Sequence, residues 1–100
     1  MTLCTCQPAA LCATCFGREL MAKLGQARVA GAVWAERVAL RHPELRGRET
    51  WPADDRALEL ARRKVETLAQ DPRLREELAR ACVEGAAAWW RGRPGRYRSG

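Results

Sequence analysis

Four of the five cysteines of this 100-residue chain lie close to its start, at Cys4, Cys6, Cys12 and Cys15. A chain of this length buries only a modest hydrophobic core, so it often depends on a metal ion, a disulfide or a partner subunit. The cysteines form two pairs, and four thiolates complete the tetrahedral coordination that zinc adopts in structural sites. The spacing therefore predicts one metal ion near the N-terminus, with zinc as the first candidate.

The second pair lies in the segment Leu11-Cys12-Ala13-Thr14-Cys15-Phe16-Gly17, which resembles the knuckle of zinc-ribbon and zinc-finger proteins. The resemblance implies a tight loop that places both sulfur atoms on one side, with Gly17 following where the chain can need a positive φ. The first pair, Cys4-x-Cys6, is one residue shorter than the usual pair of that motif. An iron–sulfur cluster, a redox dithiol at Cys12 and Cys15, or chance clustering are the alternatives to zinc.

The chemistry of the cluster favours a structural role. It contains no His, Asp or Glu, and four thiolates leave no open position for a catalytic water. The rest of the chain has no phosphate-binding loop, metalloprotease motif or nucleophile elbow, so we expect a protein that is not an enzyme. Cys82, the fifth cysteine, falls on an apolar helix face and is expected to be a core residue.

The N-terminal segment also bears on the compartment. It lacks a basic n-region, and cysteines interrupt its apolar residues, so a signal peptide is not expected. No stretch is long and apolar enough to span a membrane. These features predict a cytoplasmic protein, where thiols stay reduced and clustered cysteines usually bind metal.

Apolar residues recur at helical spacing in three segments after the cysteines, and no strand-like alternation is evident. We predict a first helix over residues 18–41, which ends at His42-Pro43 because a residue before proline avoids the helical region. A second helix begins after Thr50 or Asp54, and a third begins at Asp71-Pro72 and reaches about Trp90. The second and third helices are joined so tightly that a helical hairpin is expected.

The predicted fold class is therefore all-α, a three-helix domain with a small N-terminal four-cysteine metal-binding cap. Its parts are a cap over residues 1–17, a three-helix bundle over residues 18–91 and a flexible basic tail over residues 92–100. The first helix carries a second apolar stripe, which indicates a helix covered on two sides, by its own bundle or by a partner chain. That stripe consists of Val29, Val33 and Leu40.

Four tryptophans are many for a chain of this length. Trp34 and Trp89 lie on predicted core stripes, and Trp51 is expected to pack under the loop before the second helix. Trp90 points to another side of the third helix. We expect it either to cover the metal cap or to anchor a binding partner.

Basic charge is concentrated at the C-terminal end. The chain has a formal net charge of +6, and Arg91, Arg93, Arg96 and Arg98 account for +4 of it. The sequence Arg91-Gly92-Arg93-Pro94 resembles the core of an AT-hook, which implies an extended strand in the minor groove of A·T-rich DNA. A solvated tail that aids solubility is the alternative interpretation.

These features predict a non-catalytic, zinc-stabilised helical factor that associates with nucleic acid or with a protein complex bound to it, in an accessory or regulatory role. The first alternative is a protein-binding adapter or homodimeric module that needs no nucleic acid. The second alternative is an iron–sulfur or redox-sensing protein.

Overall fold

A computed structural model describes residues 5–92, which contain three α-helices. These are α1 (Ala13–Arg41), α2 (Asp55–Val65) and α3 (Pro72–Gly92), with a short 3₁₀ helix at Pro43–Gly47 between the first two. Within this part of the chain the only extended pairing is an isolated bridge between Gln7 and Ala10. The predicted all-α, three-helix fold is confirmed.

The start of α1 differs from the prediction. The helix begins at Ala13, five residues before the expected start, because the Cys12 side chain caps it by accepting a hydrogen bond from the Cys15 amide at 3.5 Å. Cys15 therefore lies in the first helical turn, and the predicted cap of residues 1–17 overlaps the helix. Gly17 is also helical, and none of the described residues has a positive φ. The expected loop conformation at Gly17 is wrong.

The other boundaries follow the capping signals. Of the two candidate caps for the second helix, the structure uses Asp54, whose carboxylate accepts a hydrogen bond from the Ala57 amide at 2.9 Å. The second helix ends at Val65, and a turn over residues 66–71 leads to the third helix. The third helix starts at Pro72, as predicted, and α2 packs against it through Ala61 and Val65.

α1 and α3 form the main packing pair, and they approach backbone to backbone. A Cβ on Gly31 would lie only 1.8 Å from the carbonyl oxygen of Cys82, and a Cβ on Gly85 only 2.2 Å from that of Arg28. α1 presents small buried residues at four successive turns: Ala27, Gly31, Ala35 and Ala39. This spacing is the ridge that allows two helices to interdigitate closely.

The core divides into two clusters along this helix pair. One lies toward the cysteines and includes Leu74, Leu78 and Cys82. The other contains Trp51 and Trp90, packed against the C-terminal half of α1. Cys82 is fully buried, as expected, and this burial raises the pKa of its thiol.

The second stripe of α1 is not covered by the bundle. Its exposed side chains, together with one methionine, form a surface that we call the outer face: Met21 (75% exposed), Val29 (63%), Val33 (40%) and Leu40 (65%). None of the helices in the described part of the chain is sufficiently long and apolar to cross a membrane.

Candidate metal centre

Three of the four N-terminal cysteines converge in the structure. The sulfur atoms of Cys6, Cys12 and Cys15 all lie within 4.8 Å of one another, and all three residues are half-buried. Cys4, the predicted fourth ligand, lies outside the described residues. Three thiolates at this separation supply three positions of a tetrahedral metal site.

Local backbone structure explains the convergence. Between Cys6 and Cys12 the chain reverses in a turn closed by the Ala10 amide, which donates to the Gln7 carbonyl at 2.9 Å. Cys12 then occupies the N-cap of α1, and Cys15 lies three residues later in its first turn. Unpaired amides at a helix N-terminus favour negative charge, and a thiolate bound to a metal carries such a charge.

Two residues at the start of α3, Asp71 and Arg73, form a clamp that holds the cysteine segment against the bundle. Asp71, which is only 1% exposed, accepts a hydrogen bond from the Leu11 amide at 2.8 Å. Arg73 donates to the Leu11 carbonyl at 2.6 Å and to the Asp71 carboxylate at 2.9 Å. Both backbone groups of the residue before Cys12 are therefore bound by side chains about sixty positions away in the sequence.

The Asp71 carboxylate is strongly favoured in its charged form. Hydrogen bonds from Arg73 and from the Leu11 amide hold the pKa of this carboxyl far below its usual range, and outweigh the opposing effect of burial. Arg73 also lies 5.4 Å from the centre of the Phe16 ring, so it contacts α1 as well as the cysteine segment. The clamp thus joins three parts of the chain at the cysteine end.

A cleft of about 680 Å³ opens beside the sulfur atoms. Cys6 and Cys15 line it on one side, and the turn after α2 lines it on the other. Lys23 bridges its walls, since it donates to the Leu68 carbonyl and pairs with Glu19 at 3.0 Å. The thiols of Cys6 and Cys15 therefore border a cleft rather than the closed core.

The structure places Trp90 differently from the prediction. Trp90 is only 2% exposed, and its indole nitrogen donates to the Arg48 carbonyl at 2.7 Å. The loop that carries Trp51 covers this side of α3, so the buried arc of the helix is wider than the apolar stripe alone indicated. Trp90 is a core residue rather than a surface anchor, whereas Trp89 is half-buried.

The basic C-terminal end is only partly described. Arg91 is exposed and, with Gly92, belongs to the last turn of α3, so these two residues are helical rather than extended as in an AT-hook. Arg93, Arg96 and Arg98 lie outside the described residues.

Several arginines of the bundle have structural partners. Arg62 pairs with Glu76 at 2.6 Å, Arg75 donates to the Ala69 carbonyl at 3.1 Å, and Arg46 donates to the Ala39 carbonyl at 2.7 Å. The bonds from Arg75 and Arg46 satisfy carbonyl oxygens at and beyond helix C-termini. Part of the high arginine content therefore serves the fold itself.

The long-range role of Asp71 was not foreseen from the sequence. The Asp-Pro pair signalled a helix start, but nothing in the spacing indicated that its carboxylate would bind Leu11. Comparisons of this chain with models of protein families, with curated proteins and with solved structures find no match.

Proposed function

We propose that this protein binds one structural zinc ion through Cys4, Cys6, Cys12 and Cys15, and that the ion fastens the N-terminal segment to the α1–α3 pair. The convergence of three sulfur atoms within 4.8 Å carries the proposal. The turn before Cys12 and the start of α1 bring the three thiols within reach of one ion, and a soft divalent cation bonds to each of them as a thiolate. Cys4 precedes Cys6 by two residues and supplies the fourth thiolate.

The proposed role is structural and non-catalytic. A four-thiolate site leaves no position for a reactive water, and zinc has no redox chemistry of its own. Structural zinc in small peptides contributes on the order of 10 kcal/mol of binding free energy at neutral pH. That exceeds what the few apolar contacts of the cysteine segment provide, so metal binding and folding of this end are coupled.

Metal analysis of protein purified without air tests this proposal. We expect one zinc per chain in the wild type and in a Cys82→Ala control, because Cys82 is buried in the core and is not one of the converging cysteines. Cys12→Ser and Cys4→Ser are each expected to lower zinc occupancy. Bound iron with absorbance near 400 nm would instead support the iron–sulfur alternative. Full zinc occupancy in Cys4→Ser would remove that residue from the site.

A second candidate function is association with nucleic acid, in an accessory or regulatory role. What favours it is the composition of the C-terminal end, where four arginines and no acidic residue follow Trp90. Arginine forms forked bonds with phosphate groups, so such a segment has a general affinity for the nucleic-acid backbone.

Salt-dependent binding tests this second candidate. Neutralising the four C-terminal arginines to glutamine should abolish most affinity for duplex DNA or RNA. It should also lower the slope of log affinity against log salt by about 3 to 4. Arg62→Gln on the bundle serves as the control, and binding that is unchanged by the tail substitutions would exclude this function.

A further inference from the structure

We propose that the outer face of α1 pairs with the same face of a second copy of this chain, in an antiparallel arrangement. The face is apolar and uncovered, and Met21, Val29 and Leu40 are each more than half exposed. It runs along a helix of 29 residues, which is about 43 Å long. Isolated apolar residues are ordinary on a protein surface, but four large exposed apolar residues on one helix face indicate a contact surface.

The charges on this face identify the occupant. Arg18 and Glu36 lie eighteen residues apart, about five complete helical turns, so both project from the centre of the outer face. Both are exposed, and neither forms an ion pair within residues 5–92. The outer face therefore carries a positive charge toward one end, at Arg18, and a negative charge toward the other, at Glu36.

This pattern is complementary to itself when it is reversed. A two-fold axis at the level of residue 27 places Arg18 opposite Glu36 of the partner subunit, and the symmetric contact forms at the other end. The same axis places Gly25 level with Val29 of the partner subunit. Along the centre of the face, the residues between the two charges are small or apolar, so the helices can approach closely: Ala22, Gly25, Val29 and Ala32, with Gln26 and Arg28 at the borders.

Other occupants fit the face less well. A membrane surface attracts helices with basic polar borders, whereas here Glu36 lies within the apolar face. A parallel pair would place Arg18 against the same residue of the partner and Glu36 against its own copy, which is repulsive at both ends. The antiparallel pair is thus the arrangement in which both charges find an opposite charge.

The predicted interface is small. The segment from Arg18 to Glu36 spans about 27 Å, and a groove of about 670 Å³ between α1 and α3 adds Trp89 at one border. Such a contact lies at the low end of the size range of specific interfaces. We therefore expect a dimer that forms in the micromolar range rather than an obligate one.

Sedimentation equilibrium of the full, metal-loaded chain tests the proposal through charge reversal. Arg18→Glu and Glu36→Arg should each weaken dimerisation about 10-fold, because two attractive pairs become two repulsive pairs. The double variant Arg18→Glu/Glu36→Arg should recover the wild-type association. Arg56 is an exposed residue of α2. Arg56→Glu makes the same change in net charge as Arg18→Glu and should leave dimerisation unchanged.

Circular dichroism of each variant verifies that the helices are intact. A wild type that stays monomeric at all concentrations would overturn the proposal. So would a double variant that associates no better than the single ones, since this rescue is specific to the antiparallel pairing. A Val29→Arg variant that still dimerises with wild-type affinity would also overturn it, because this residue lies beside the proposed axis.

Discussion

The two ends of the helical bundle are held together by different kinds of interaction. At the cysteine end, directional interactions add to the core around Leu74 and Leu78: the Asp71–Arg73 clamp and three converging sulfur atoms. At the opposite end, which we call the tryptophan end, Trp34, Trp51 and Trp90 pack around α1 and α3. Large aromatic side chains bury enough surface to hold a segment without any ligand, whereas half-buried thiols do not.

Ring geometry shows how the tryptophan end is built. The Trp51 ring lies 4.9 Å from that of Trp34, edge to face, and 5.3 Å from that of Trp90. Lys64 adds a cation 5.2 Å from the centre of the Trp34 ring. The loop before α2 is thereby fixed by ring packing and by the hydrogen bond from Trp90 to the Arg48 carbonyl. The comparison implies that removing metal loosens only one end of the molecule.

Metal removal should have the largest effect. A strong chelator, or Cys12→Ser, is expected to lower the free energy of unfolding by several kcal/mol, since structural zinc sites contribute on the order of 10 kcal/mol to binding. Hydrogen exchange should show loss of protection in the first turns of α1, while amides of residues 82–90 stay protected. Equal loss of protection at both ends would show that the metal does not act on the cysteine end alone.

Trp90→Ala tests the opposite end. Truncation of a buried tryptophan leaves a large cavity and should lower the free energy of unfolding by about 3 to 5 kcal/mol in chemical denaturation. Trp89→Ala is the matched control, and its smaller effect follows from its half-buried position. Zinc stoichiometry should be unchanged in both variants. A loss of zinc on Trp90→Ala would show that the two ends are not separable.

The close contact between α1 and α3 leaves no room for an added methyl group at Gly31. Gly31→Ala places a methyl group against the Cys82 carbonyl and should destabilise the protein by about 1 to 3 kcal/mol, because backbone must move. Gly17→Ala is the control: nothing lies within 4 Å of the added Cβ, so better helix propensity should stabilise by about 0.5 to 1 kcal/mol. Thermal unfolding measures both, and equal effects would contradict the close crossing.

Asp71→Asn should have the smallest effect. The amide is close in shape but cannot accept as strongly from Arg73 and Leu11, so we expect the melting temperature to fall by about 3 to 5 °C. Zinc should also be released faster to a competing chelator. Unchanged release would mean that the clamp does not hold the metal-binding segment.

Much of this architecture follows from local signals. The proline after Asp71 predicted where α3 begins, and Asp54 was one of the two residues predicted to cap α2. Apolar residues at helical spacing predicted the three helices and the burial of Cys82, but not the roles of Gly31 and Gly85. The backbone contact that makes these glycines necessary depends on two helices meeting, which local spacing does not encode.

Two features of the candidate site illustrate the limit. The helix start moved to Ala13 because the Cys12 sulfur caps it, although cysteine is not among the usual capping residues. Trp90 became a core residue because a loop distant in sequence covers it. The pairing of Asp71 with Leu11 has the same origin, since it joins residues that only the fold brings together.

Native mass spectrometry of the reduced protein tests the central claim most directly. We predict one zinc ion per chain in the wild type and loss of that mass in Cys12→Ser, with Cys82→Ala retaining it. A wild-type chain that carries no metal with its thiols reduced and zinc supplied would contradict the claim that a thiolate-bound ion holds the cysteine end.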